Sequence, residues 1–93
     1  IDRGINMLKM SDLELSFKTA KDKGVAYIGI KVEIKGFERP EIIINESENF
    51  DKKLEHYKRM YNDDLTLKEL NGIRIIGISY ADSLGYIENE LLW

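Results

Sequence analysis

The sequence predicts a single α+β domain with the element order α-β-β-α-β-α, in which a three-stranded sheet is packed with helices. Three observations point there. The apolar period alternates between the helical spacing of three and four and the strand spacing of two. Capping or turn residues sit where the period changes. At 93 residues, 43% hydrophobic and 33% charged, the chain has the composition of one globular domain with one core.

The opening IDRGIN does not begin with methionine, so residues 1–10 are read as a lead, vector-derived or flexible, and 11–93 as the domain. SDLELSFKTAKDKG (11–24) predicts the first helix. Ser11 and Glu14 match a capping box, and Met10, Leu13, Phe17 and Ala20 form one stripe. Lys21 and Lys23 suit the last turn, and Gly24 the left-handed stop. VAYIGIKVEI (25–34) then alternates, with Ala26, Ile28, Ile30, Val32 and Ile34 on one face and Tyr27, Gly29, Lys31 and Glu33 on the other. KGFERP turns the chain, and EIIIN (41–45) returns as the second strand of a hairpin.

Phe50, Leu54, Tyr57 and Tyr61 mark the middle helix, with Ser47 or Asn49 as its cap and Glu48–Lys52 and Glu55–Arg59 as supporting pairs. It should end near YNDDL. After Asn71-Gly72, the isoleucine-rich IRIIGISY (73–80) reads as the central strand of the sheet. A parallel pairing of that strand would require a right-handed crossover. Asp82 or Ser83 should cap a last helix carrying Leu84, Ile87 and Leu91.

The search for chemistry excludes more than it finds. With no cysteine, thiolate catalysis, disulfides and thiolate metal sites are absent. The one histidine, His56, has Lys52, Lys53, Arg59 and Met60 as its helical neighbours, so no two-ligand helix site forms around it. A solvated helix histidine is the preferred reading. Asp63, Asp64 and Glu69 lack the alternating oxygen ligands of a calcium loop and read as acids that end a helix. The glycines form no phosphate cradle. Gly29 and Gly77, inside strands, mark either bulges or the close approach of another element. No catalytic residue, cofactor or metal is assigned, and the chain is read as a non-enzyme.

Two surfaces remain as candidates for binding. The first is a partner surface of Tyr27, Phe37, Leu92 and Trp93, since exposed aromatics anchor interfaces. The terminal Leu-Leu-Trp either docks on its own domain or meets a partner. The second is an anion or nucleotide face of Lys18, Lys21, Lys31 and Lys35 beside Tyr27, blunted by Glu14, Asp22 and Glu33. A net charge of −3 and scattered arginines argue against nucleic acid. No apolar run is long enough for a membrane span.

The run GVAYIGIKVEIKGFERPEIIINESENFDKKLEHYKRMYNDDLTLKELNGIRIIGISYADSL resembles a group of small proteins encoded by temperate phages and prophages of Firmicutes. The matching features are EIIIN at 41–45, ENFDKKLEHYK at 48–58, YNDDLTLK at 61–68 and GIRIIG at 72–77. The resemblance covers nearly all of the chain after residue 10 and brings no catalytic residues with it. It implies a phage-encoded accessory protein in the cytoplasm of the bacterial host. The expected function is therefore binding of a host or phage protein. A nucleotide-sequestering module is the alternative, and a nucleic-acid-associated protein the third reading. A homodimer is left open.

Overall fold

The computed structural model describes residues 8–92. Its elements are α1 (Met10–Lys23), β1 (Tyr27–Ile34), β2 (Glu41–Glu46), a 3-10 turn (Ser47–Asn49), α2 (Phe50–Met60), β3 (Ile73–Ala81) and α3 (Leu84–Leu92). The order α-β-β-α-β-α and the three-stranded sheet are as expected. The placement of the strands is not. The sheet runs β2-β1-β3 with β1 at its centre, and both pairings are antiparallel. The isoleucine-rich β3 is therefore an edge strand, and no parallel crossover arises.

α1 begins at Met10, one residue before the expected Ser11–Glu14 box, and that box does not form. Leu8 and Met10 both pack on the core, so burial decides where the helix begins. The Asp12 carboxylate accepts the Lys9 N–H at 2.8 Å instead, which is half of a capping box shifted upstream. Glu14 is released to pair with Lys58 at 3.2 Å. The other end is as the sequence predicts: Gly24 takes φ 71°, ψ 27°, and its N–H turns back onto the last turn.

β1 alternates as expected, and its two faces meet different helices. Ile28, Ile30 and Val32 face the main core under α1 and α2, joined by Leu13, Phe17, Phe50, Tyr57, Tyr61, Leu65 and Ile75. Phe17 meets Phe50 edge-on at 5.8 Å, which locks the two helices together. On the opposite face lies α3, whose Ile87 and Leu91 are buried over Gly29, with Leu91 reaching Gly77 as well. A methyl group at Gly29 would overlap Ile87. The strand glycines thus make the shallow seat on which α3 rests, the close approach that their position in strands suggested. A bulge also occurs: the β1–β3 register shifts between Lys31 and Val32.

α2 ends at Met60, and Asn49 occupies its cap position without a side-chain hydrogen bond, the 3-10 turn leading in instead. The expected Glu48–Lys52 and Glu55–Arg59 pairs are not among the ion pairs of the described residues. Those are Lys18–Asp22, Lys21–Asp51 and Lys58–Glu14, two of which bridge α1 and α2. At the start of α3, Ser83 Oγ accepts the Tyr86 N–H at 3.3 Å. Asp82 has a different task and accepts the Ala26 N–H at 2.9 Å.

The segment between α2 and β3 is built rather than loose. Asn62 N–H binds Thr66 O, Leu67 N–H binds Ile73 O, and Ile75 N–H binds Leu65 O. Leu65 is fully buried at φ 65°, a conformation costing a non-glycine residue on the order of 1–2 kcal/mol. Its side chain fills the core while its carbonyl anchors β3, and these two gains offset the strain.

Candidate functional site

The clearest candidate site is a groove at the hairpin end of the sheet. The β1–β2 turn brings Lys35, Gly36 and Phe37 against Gly72, Ile73 and Arg74 at the start of β3. The Lys35 N–H donates to Gly72 O at 2.7 Å, so the two walls are tied through their backbones. Gly72 sits at φ 88°, and Lys35 Cβ lies so close that a side chain at 72 would collide with it. Glu33 and Thr66 complete a groove of about 470 Å³.

Its chemistry is mixed. Phe37 is 66% exposed, a large apolar side chain left in water. Arg74 is half-buried, its Nε donating to Asp64 O at 3.4 Å. Lys35 is exposed. One aromatic face, one guanidinium and one ammonium can receive a segment that is apolar and acidic, the guanidinium through paired N–H donors. Leu70, 60% exposed, lies two residues upstream of the Gly72 wall.

The residues expected from sequence are only partly brought together. Phe37 and Lys35, drawn from two different candidate surfaces, share this groove. Tyr27 does not join them. It is half-buried at the far end of β1, and eight extended residues at about 3.3 Å each separate the two ends of that strand. Leu92 is 59% exposed at the end of α3, and Trp93 lies outside the described residues. The expected single surface of Tyr27, Phe37, Leu92 and Trp93 is therefore not assembled among the described residues.

The four lysines do not form one face either. Lys18 pairs with Asp22 at 2.9 Å, and Lys21 reaches Asp51 at 3.0 Å, both on the α1–α2 side. Lys31 lies on the α3 side, with its Cβ beside Gly77. Lys35 alone lines the hairpin groove. Sequence proximity suggested a common field, but strand alternation and the sheet itself keep these lysines apart. In sequence, Arg74 carries no such signal, being one of a few scattered arginines. Only the pairing of β1 with β3 puts it next to the hairpin.

His56 is exposed on α2, edge-on to Tyr57 at 5.7 Å. Asp64 accepts both the N–H and the hydroxyl of Thr66, and these bonds hold its carboxyl below the usual range. Asp63 lends its carbonyl to the Met10 N–H at 2.8 Å. Both acids thus have structural tasks in the loop. Among the described residues no three histidine or acidic side chains come together as metal ligands, and no helix is long and apolar enough to cross a membrane. A second, more polar groove of about 600 Å³ lies where α1 begins, lined by Lys9, Lys58, Lys68 and Tyr61 among others, with Glu14 and Asp63 in the same wall.

Comparison with protein-family models, with curated proteins and with solved structures finds no match to this chain.

Proposed function

We propose that this chain is a non-enzymatic accessory protein that acts by binding another protein, with the hairpin groove as its contact site. The observation that carries this reading is Phe37, 66% exposed and flanked by Lys35 and Arg74. An apolar anchor bordered by positive charge on an otherwise acidic chain suits a protein segment that presents an apolar residue beside a carboxylate. We infer, from the sequence's resemblance to temperate-phage proteins, that the partner is a host or phage protein of the bacterial cytoplasm.

The same groove also supports the alternative of a small anionic ligand such as a nucleotide, with Phe37 as stacking surface and Arg74 and Lys35 as charge. Affinity capture from a phage-sensitive Firmicute, before and after prophage induction, separates the two readings. A stoichiometric protein retained by the wild type and lost with Phe37→Ser and Arg74→Ser supports the protein partner. A nucleotide panel that raises the melting temperature, with no captured protein, supports the ligand, because binding to the native state adds RT ln(1+[L]/Kd) to stability.

A further inference from the structure

β3 is built like an interior strand and yet stands at an edge. From Ile75 to Ala81 it carries no charged residue, whereas the central β1 carries Lys31 and Glu33. Helices cover both of its faces, α1 on the core side and α3 on the other. Leu65 and Leu67 cover the outer side of its first residues, through Ile75 N–H to Leu65 O and Leu67 N–H to Ile73 O, each 2.9 Å. Beyond Ile75, its outer side has no backbone partner among the described residues.

The other edge differs. β2 is introduced by Pro40 and bounded by Glu41 and Glu46, the residues that natural sheets use to blunt an edge. One edge is guarded and the other is open.

We propose that a second copy of this chain pairs antiparallel with β3 about a two-fold axis near Ser79, giving a continuous sheet in the order β2-β1-β3-β3′-β1′-β2′. The ladder alternation supports this register. The Ser47 N–H donates to Ala26 O across the hairpin. Counting along β1 from there, Gly29 turns its backbone groups toward Ser79, which leaves those of Ile78 and Tyr80 pointing outward. The axis sets Ile78 of one copy opposite Tyr80 of the other, a β-branched–aromatic pair of the kind that stabilises sheets.

Charge agrees with this partner. On α1, Glu14 and Lys21 pair with residues of α2, and at 100° per residue Asp12, Ser16, Thr19 and Lys23 occupy the opposite flank, over the β3 edge. Its middle is uncharged and half-buried, and its ends have opposite sign. A two-fold axis brings Asp12 of one copy toward Lys23 of the other, so the flank is self-complementary.

Sedimentation of the full chain across micromolar to near-millimolar concentration tests this. The wild type should reach dimer mass. Ile78→Pro, which removes an outward N–H and spares the β1 ladder, should sediment as monomer, and Ile43→Lys on the guarded edge should remain dimeric. A wild type that stays monomeric, a dimer that persists in Ile78→Pro, or one lost in Ile43→Lys overturns the proposal. If Ile78→Pro does not fold, amide exchange in the wild type decides. The Ile78 and Tyr80 amides should exchange roughly tenfold or more slowly as dimer forms, and rates independent of concentration overturn the pairing.

Discussion

The Tyr57 hydroxyl donates to Asn45 Oδ1 at 3.2 Å, and Asn45 Nδ2 in turn donates to Ile28 O at 3.2 Å. This short chain links α2, β2 and β1 inside the core, where Asn45 is 1% exposed. A buried amide is stable only while its partners remain, because an unmet polar group keeps its full desolvation cost. Tyr57→Phe should therefore lower stability by about 1–3 kcal/mol. Adding Asn45→Leu should recover much of that loss, and a double-mutant cycle of urea melts would show the coupling.

The same tyrosine predicts an alkaline limit. Burial pushes the Tyr57 hydroxyl up from 10.0, the Asn45 hydrogen bond opposing and neighbouring Tyr61 adding to the rise. Burial raises Tyr61 as well. A group whose folded pKa is raised contributes stability that is present below its unfolded pKa and is lost as pH climbs toward the folded value. Stability should fall above about pH 10, and less steeply in Tyr57→Phe, as followed by melts across the alkaline range.

Gly29 and Gly77 form the seat of α3, but with unequal clearance. A methyl at Gly29 collides with Ile87, whereas at Gly77 it meets Leu91 and Lys31 Cβ at 3.2 Å. Gly29→Ala should cost about 1–3 kcal/mol by overpacking. Gly77→Ala should cost less. Thermal melts would rank the two, and the reverse order would mean that α3 does not sit where described.

Asp64 governs the acid side. Its carboxyl lies below the ordinary 3.8, first through the Thr66 hydroxyl and next through the Thr66 N–H. A depressed carboxyl contributes stability above its unfolded pKa and loses it as pH falls through the folded value. Asp64→Ala should be less stable than wild type at neutral pH, and the gap should close as pH drops below 3.8. An unchanged gap at pH 2–3, in paired melts, would remove the carboxylate from that role.

Much of the fold can be read from local signals. Gly24 stops α1, alternation defines both faces of β1, and Ser83 caps α3, because each depends on a few neighbouring residues. What the sequence hides is non-local. Strand order depends on which surfaces the helices cover, so an isoleucine-rich β3 reads as central while it stands at the edge of the monomer. The start of α1 departs from the Ser11–Glu14 signal because Leu8 and Met10 gain more from burial than that cap offers. Asn45 continues an isoleucine run, and only its parity with Ile43 placed it on the core face. The groove is half legible: Phe37 stands out as an aromatic and Lys35 as a cation, and Arg74 joins them only through strand pairing.

The binding role is tested most directly by a photo-crosslinking amino acid placed at position 37, with position 56 on the exposed face of α2 as control, in a lysogenic Firmicute. The account predicts a discrete adduct to one protein from position 37, absent from position 56 and abolished by Arg74→Ser. No adduct at 37, or the same adducts from both positions, would contradict it.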